Sequence, residues 1–505
     1  MPNLPPFALA DSPSSLRNRP YYLLLFFALF TAPLLALHLH LLTLPFFWDE
    51  HGQFIPTALD LLRTGAWVAH STIPNVHPPG VEAYLVIWYK LFGFSILVTR
   101  VAMLMLAGTG LLLTFLLAIE LSRGADGAPA FLPPLFLLAS PLFYTQSMMA
   151  QLDMPAMVLT LLSLLLFIKE SYLAAAAACI ALVMTKETGV IVPAIFGTVL
   201  LLRRDWKRAL LFIPSGIALA LWLLLLHSKA GYWLGNPGFA HYNVAYALNP
   251  VRMLFSLLRR GYYLFFAEFR WIGTLVLLST ARKCPIFRKQ SWQLTLYVSA
   301  ATFLLVSMLG GAELERYLLP VLPVFYIAVS VGLSRMRKWA GLAAAAALMT
   351  GLIVNLFWNP PYPFPFENNY AMIDFVRLQQ AAASYAELTL GDRVIATAWP
   401  FSAALESPDY GYVSHKLKVV DSGDFRLSSL QALPPDRYGV LITHTLTWMP
   451  SNGVIAIPLV RAFLTRFYDW HPDATPAECE MMRLEPRASW TRGGQEITVY
   501  VRKTR

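Results

Sequence analysis

The chain has 505 residues, 57% hydrophobic and only 13% charged, with a formal net charge of +10 and a mean hydropathy of +0.54. A soluble domain carries roughly 25% charged and about 45–50% apolar residues, so this composition excludes a disordered chain, a collagen-like fibre, a disulfide-stapled secreted domain and one soluble core. The basic balance does not call for nucleic acid, because Lys and Arg in a membrane protein set orientation by lining cytoplasmic loops.

Apolar runs of the length that spans a bilayer recur along the chain. In order they are 21–44, 96–121, 129–146, 152–168, 171–185, 188–202, 209–227, 255–280, 292–311, 317–334 and 339–358. They amount to about eleven predicted spans. The first follows Arg17 and Arg19, exceeds a signal-peptide core and lacks a small-residue cleavage site, so it reads as a retained span. With the N-terminus cytoplasmic, the inner loops hold Arg123, Lys169, the basic run 203–208, the cluster Arg282, Lys283, Arg288 and Lys289, and the trio Arg335, Arg337 and Lys338. That density of positive charge in short loops marks a cytoplasmic face. An odd number of spans places everything after Trp358 outside the cytoplasm. The expected location is the cell membrane, crossed many times. Cys179, Cys284 and Cys479 show no metal spacing and read as unpaired thiols. No internal repeat is visible.

The first outer loop, 45–95, opens on Phe46, Phe47 and Trp48, followed by the acidic pair Asp49-Glu50 and His51. Aromatic residues belong at a membrane surface. Phe54, Ile55, Ala58, Leu59 and Leu62 then fall on one helical face, which Gly65 ends. After the break at His77-Pro78-Pro79-Gly80, Val81, Tyr84, Leu85, Trp88 and Leu91 form a second amphipathic face, too short to span. Both stretches read as helices lying in the interface, a platform suited to chemistry on a lipid headgroup. A carboxylate at a helix start equally well caps it, so Asp49-Glu50 alone is a weak signal.

The tail, 359–505, leaves the membrane through the Pro-rich stretch 359–365. A helix around 368–388 is expected, then β-branched runs at 393–398 and 438–443, apolar helices near 400–406 and 456–469, and a terminal strand at 496–501. Strands alternating with helices predict a small α/β domain.

The acidic pair Asp49-Glu50, the His77-Pro78-Pro79 break, Leu91-Phe92-Gly93, Thr185-Lys186-Glu187 and the late run 315–323, which begins Glu315-Arg316-Tyr317, combine into a pattern. It resembles the GT-C fold glycosyltransferases that use polyprenyl-phosphate sugars. Within them it is similar to the branch of protein O-mannosyltransferases and the lipid A aminoarabinose transferase, over roughly residues 20–335. The resemblance implies a GT-C-like all-α polytopic membrane domain, 1–358, with two interfacial helices in its first outer loop; the tail, 359–505, adds no residue match and stays the extracytoplasmic α/β domain read from its own pattern. It implies catalysis by Asp49, as the base that activates the acceptor, with Glu50 as its companion. It places His77 where some relatives have Lys before Pro, and makes Lys186 and Arg316 alternative cations for a lipid phosphate. Glu187 and Tyr317 accompany them as substrate-binding residues. Asp153 binds sugar or acceptor, or caps the helix that Met154 and Pro155 begin.

A sugar on a polyprenyl phosphate already has a good leaving group. The protein then needs one carboxylate as general base and positive charge where the phosphate becomes more negative. One carboxylate suffices, unlike the pair used by most glycoside hydrolases, and the outcome is single displacement with inversion. The orientation sets Asp49, Glu50, His77, Gln151, Asp153, Lys186, Glu187, Glu268, Glu313, Glu315 and Arg316 near the outer face. The aromatic outer loop 228–254, with Tyr232, Trp233, His241 and Tyr242, covers a sugar or isoprenoid, or forms an interface belt. The expected partners are a polyprenyl-phosphate sugar donor carrying a hexosyl or pentosyl group, a lipid, glycan or protein acceptor, and the bilayer, without nucleic acid. The sequence commits to no cofactor. A divalent cation on Glu50, His51 and His77 stays open, although their spacing matches no standard ligand pattern. The alternative function is a transporter or flippase of lipid-linked sugars, which usually shows repeats and midplane polar residues.

Overall fold

The computed structural model describes residues 20–123, 127–310, 314–450 and 453–503. Arg17, Arg19 and Glu313 lie outside them.

Every one of the expected apolar segments is largely helical. Five helices among the described residues are long and apolar enough to cross a membrane: Tyr21–Leu41, Ile96–Leu121, Trp206–Ala230, Gln290–Met308 and Lys338–Phe357. Asp153–Ile168, Tyr172–Val183, Glu187–Leu202 and Leu322–Leu333 are apolar but shorter. Ile96–Leu121 is the central one, packed against Pro20–His38, Gly80–Phe92 and Asp153–Ile168. The outer helices leave leucines such as Leu24, Leu25, Leu221 and Leu342 exposed. A contiguous apolar exterior of this kind suits lipid rather than water.

Two expected spans are broken, each for a local reason. The segment 129–146 forms two short helices, Leu132–Ala139 and Pro141–Gln146. Pro141 lacks an N–H and forces the preceding residue out of the helical region, and Ser140 is extended at φ −66°, ψ 123°. The segment 255–280 is bent by 83° between Pro250–Phe265 and Arg270–Lys283. Glu268 and Phe269 make the corner at φ 53° and 63°, a left-handed geometry that strains non-glycine residues. Arg270 holds it by donating to the Tyr263 carbonyl at 2.9 Å and pairing with Glu268 at 2.8 Å.

The first outer loop contains the two expected short helices, Ile55–Thr64 and Gly80–Phe92. A π-helical turn, Glu50–Phe54, precedes the first. Ile55, Ala58 and Leu59 of one and Val81, Leu85 and Tyr89 of the other are buried, whereas Leu91, expected on the apolar face, is exposed. The intervening loop is pinned by Asp60, whose carboxylate accepts from the backbone of His70 and Ser71, both at 2.9 Å.

Beyond the Pro-rich exit, helix Ala371–Thr389 packs on a five-stranded sheet. Its strands are β1 (Ile395–Thr397), β2 (Val419–Asp421), β3 (Val440–His444), β4 (Leu484–Arg492) and β5 (Gln495–Arg502), in the order β2-β1-β3-β5-β4. β1 is parallel to β2 and β3; β5 is antiparallel to β3 and β4. Gly493 and Gly494, at φ 55° and 81°, supply the two left-handed positions of the β4–β5 turn. The unit is tied to the first outer loop, since Phe46 N–H donates to the Tyr410 carbonyl at 3.2 Å and Tyr412 donates its hydroxyl to the Phe46 carbonyl at 2.9 Å.

Candidate active site

A cavity of about 720 Å³ lies where the first outer loop meets the starts of several helices and the tail segment 363–367. Asp49, His77, Asp153, Lys186, Glu187, Arg316 and Tyr317 all line it. These come from widely separated stretches of chain, and each is aimed by its own local structure. Asp153 is the first residue of a helix, where the positive end of the backbone dipole favours a carboxylate. Lys186 is extended, at φ −148° and ψ 122°, between helix Tyr172–Val183 and the turn Glu187–Val190. Arg316 sits in the 3₁₀ turn Glu315–Leu318.

Arg316 is the hub. Its guanidinium donates to Asp49 Oδ2 at 2.5 Å, to Gln151 Oε1 at 2.8 Å and to Glu367 Oε2 at 3.0 Å. Its Nε lies 3.0 Å from Asp153 Oδ2. Lys186 pairs with the other oxygen of Asp153 and holds its ammonium 4.2 Å above the Tyr317 ring. Next to Lys186, His77 Nδ1 meets Glu187 Oε2 at 2.9 Å. Charges therefore alternate along the wall: Glu187, Lys186, Asp153, Arg316, then Asp49 and Glu367.

His77 reaches this wall because of Gly80. The Gly80 N–H donates to the Met184 carbonyl at 2.8 Å, and a Cβ at Gly80 would stand 2.5 Å from that same oxygen. Only a glycine lets the 77–80 break press against 184–187.

Glu50 is placed elsewhere. It is fully buried and does not line the cavity. Its Oε1 accepts from Arg100 at 2.6 Å and from the Ala150 N–H at 2.7 Å, and its Oε2 accepts from the Phe47 N–H at 2.8 Å. Arg100 in turn donates to the carbonyls of Pro45 and Met148, both at 2.9 Å. Glu50 therefore braces the loop that carries Asp49. His51 is also buried, between Tyr410 and Tyr412, and burial pushes its imidazole down to about 3, so it is neutral. Glu50, His51 and His77 are not brought together, and no three His, Cys, Asp or Glu side chains among the described residues gather as metal ligands.

Sequence reasoning missed Glu367, Arg259 and Trp399 and read Trp48 as a membrane-surface aromatic; all four line the cavity. Glu367 had one legible signal, a lone carboxylate directly after the Pro-rich exit. Arg259 was hidden inside an expected span. Of the aromatic residues expected in 228–254, Tyr242 lines the cavity, whereas Trp233 stacks on His227 at 4.3 Å. A second cavity, about 410 Å³ and mostly apolar, shares Arg259, Pro363 and Phe364 with the first. Arg259 pairs across that wall with Glu315 at 2.8 Å.

No protein-family model matches the sequence, and no curated protein matches it. Solved structures do. ArnT from Cupriavidus metallidurans bound to undecaprenyl phosphate superposes with a TM-score of 0.55 at 15% identity, covering 95% of this chain and 98% of that one. Its apo state gives 0.54 at the same identity and coverage. The archaeal oligosaccharyltransferase AglB from Archaeoglobus fulgidus, in complex with an inhibitory peptide and a dolichol-phosphate, gives 0.52 at 10% identity, covering 94% of this chain and 74% of that one. These are GT-C folds, and the chain shares that fold.

Proposed function

We propose that this GT-C chain is an integral membrane glycosyltransferase that moves a sugar from a polyprenyl-phosphate donor to an extracytoplasmic lipid, glycan or protein acceptor. One observation carries the reading. A carboxylate, Asp49, and two cations, Lys186 and Arg316, face one cavity of about 720 Å³. The donor class is supported by the undecaprenyl phosphate of the ArnT structure and the dolichol-phosphate of the AglB structure.

In the proposed reaction, Asp49 accepts the proton of the acceptor hydroxyl or amide as that atom attacks the anomeric carbon. The bond from that carbon to the phosphate oxygen breaks on the opposite face, and its electron pair leaves with the phosphate. Single displacement inverts the anomeric centre. The departing phosphate gains negative charge, and Lys186 and Arg316 are placed to meet it with charge-assisted hydrogen bonds. His77 adds a donor when protonated, and Glu187 orients its ring. Tyr317 sets the position of Lys186 from below. Asp153 holds both cations before substrate arrives. Glu50 keeps the loop in register without touching the reacting atoms.

Asp49→Asn retains the shape of the side chain and removes the base. In the full chain, reconstituted with a polyprenyl-phosphate sugar, transfer is expected to fall by about 10²–10⁴-fold, the usual worth of a general base. Wild-type rates from that variant, at an unchanged unfolding temperature, would remove Asp49 from this role.

A further inference from the structure

Glu367 belongs to none of the membrane helices. It lies in the short turn Phe366–Asn368 that leads into helix Ala371–Thr389 of the C-terminal unit. Its backbone carbonyl is fixed by the Thr145 hydroxyl at 2.5 Å, and the residue is only 4% exposed. Oε2 accepts from Arg316, and Oε1 has no hydrogen-bond partner among the described residues.

We infer that Glu367 is a positioning residue that competes with Asp49 for the guanidinium of Arg316, and thereby sets how freely Asp49 accepts a proton. The inference rests on the reading of Asp49 as base. It starts from a count of charges. Arg316 is shared by three carboxylates, those of Asp49, Asp153 and Glu367. Lys186 is a second cation paired with this group, through Asp153. Three carboxylates on one guanidinium crowd negative charge in a confined space, which favours the protonated form of one of them. Glu367 is the candidate because it is buried and Arg316 bonds its Oε2, which leaves Oε1 to carry a proton. Burial pushes its carboxyl up, Arg316 pulls it down, Asp49 and Asp153 push it up again, and it stands at about 7. The neighbouring side chain of Gln151 lowers it in turn.

The consequence follows from the sign. Below about pH 7, Glu367 is neutral and Arg316 is shared by Asp49 and Asp153 alone. Above it, an ionised Glu367 takes a larger part of the guanidinium and sets a further negative charge near Asp49. Asp49 is then held less tightly and accepts a proton more readily. The tail thus acts on the membrane-domain site through one side chain.

The test reads titration directly. Infrared difference spectra of the purified full chain in nanodiscs, taken between about pH 6 and about pH 8, should show a protonated carboxyl band that disappears as pH rises. Glu82 is also pushed up to about 7 by burial, so a Glu82→Gln background removes that contribution. The band should vanish in Glu367→Gln. In Asp49→Asn, with Glu367 intact, its midpoint should fall by about one unit because a like charge has been removed. Transfer by Glu367→Gln should lose the rise in kcat/KM across the same range, with KM at low pH unchanged. A band that survives Glu367→Gln, or a midpoint unmoved by Asp49→Asn, overturns the proposal. The second arm needs no Glu367 variant to fold. A coupled titration in a wild-type chain that transfers no sugar would instead overturn the glycosyltransferase reading and leave the coupling standing.

Discussion

Consecutive residues in helical conformation point about 100° apart, and that rotation separates Asp49 from Glu50. Asp49, in the right-handed region at φ −62° and ψ −22°, faces the cavity; Glu50, first in the π-helical turn, faces the core. The sequence presents them as one acidic pair, because adjacent letters carry no record of which way each side chain turns. Their variants should differ accordingly. Removing Glu50 leaves the Arg100 guanidinium buried without its carboxylate, and breaking a buried ion pair from one side costs about 3–5 kcal/mol. Glu50→Ala should therefore lower the thermal unfolding temperature of the purified protein sharply, while Asp49→Asn leaves it near the wild-type value. Equal unfolding temperatures for Glu50→Ala and wild type would mean that Glu50 is no brace.

At the scale of elements, the 77–80 break matters as much as any helix. It brings His77 to Glu187 because Gly80 lies against the Met184 carbonyl. In Gly80→Val the added Cβ would meet that backbone oxygen at 2.5 Å and the Thr185 hydroxyl at 2.8 Å. Backbone cannot step aside as a flexible side chain can, so overpacking of about 1–3 kcal/mol is expected. The measurement is binding of undecaprenyl phosphate alongside thermal unfolding. Weaker binding with a modest drop in stability fits; unchanged binding would separate the loop from the phosphate site. This loop also shows what sequence can and cannot carry. The apolar segments, both short helices of the outer loop and strands β1, β3 and β5 follow from periodicity and β-branched runs, which local chemistry sets. Strand β2 is three residues long and β4 mixes charges with its apolar positions, so neither stands out. The corner at Glu268 and Phe269 was invisible because two non-glycine residues adopt left-handed geometry there, held by Arg270. The role of Glu367 was hidden for a related reason: its one signal, a carboxylate after the Pro-rich exit, takes its meaning from Arg316, some fifty positions away.

At the scale of the whole molecule, three basic loops and the cavity fall at opposite ends of one helix. Helix Ile96–Leu121 has 26 residues, about 39 Å at 1.5 Å per residue, which exceeds the roughly 30 Å hydrocarbon core of a bilayer. Near its start, Arg100 is bonded to Glu50 behind the cavity. At its far end the Leu121 carbonyl accepts from Trp292 at 2.9 Å, and the Arg123 carbonyl accepts from Lys289 at 2.5 Å. Cys284, in the same basic loop as Lys289, lies beside Arg335 of the next basic loop. Three basic loops expected on the cytoplasmic side therefore meet at one end of this helix, away from Asp49 and Arg316. We propose, from the positive-inside rule, that this end faces the cytoplasm and that the cavity and the tail face the other side. Labelling in intact cells checks the assignment cleanly, because the native thiols Cys179, Cys284 and Cys479 are all buried. Lys416 and Arg204 are both exposed, one in the tail and one in the basic run. A membrane-impermeant thiol reagent should modify Lys416→Cys from outside, and should reach Arg204→Cys only after the membrane is permeabilised. The reverse pattern would turn the molecule over, put Asp49 on the cytoplasmic side, and exclude an extracytoplasmic acceptor.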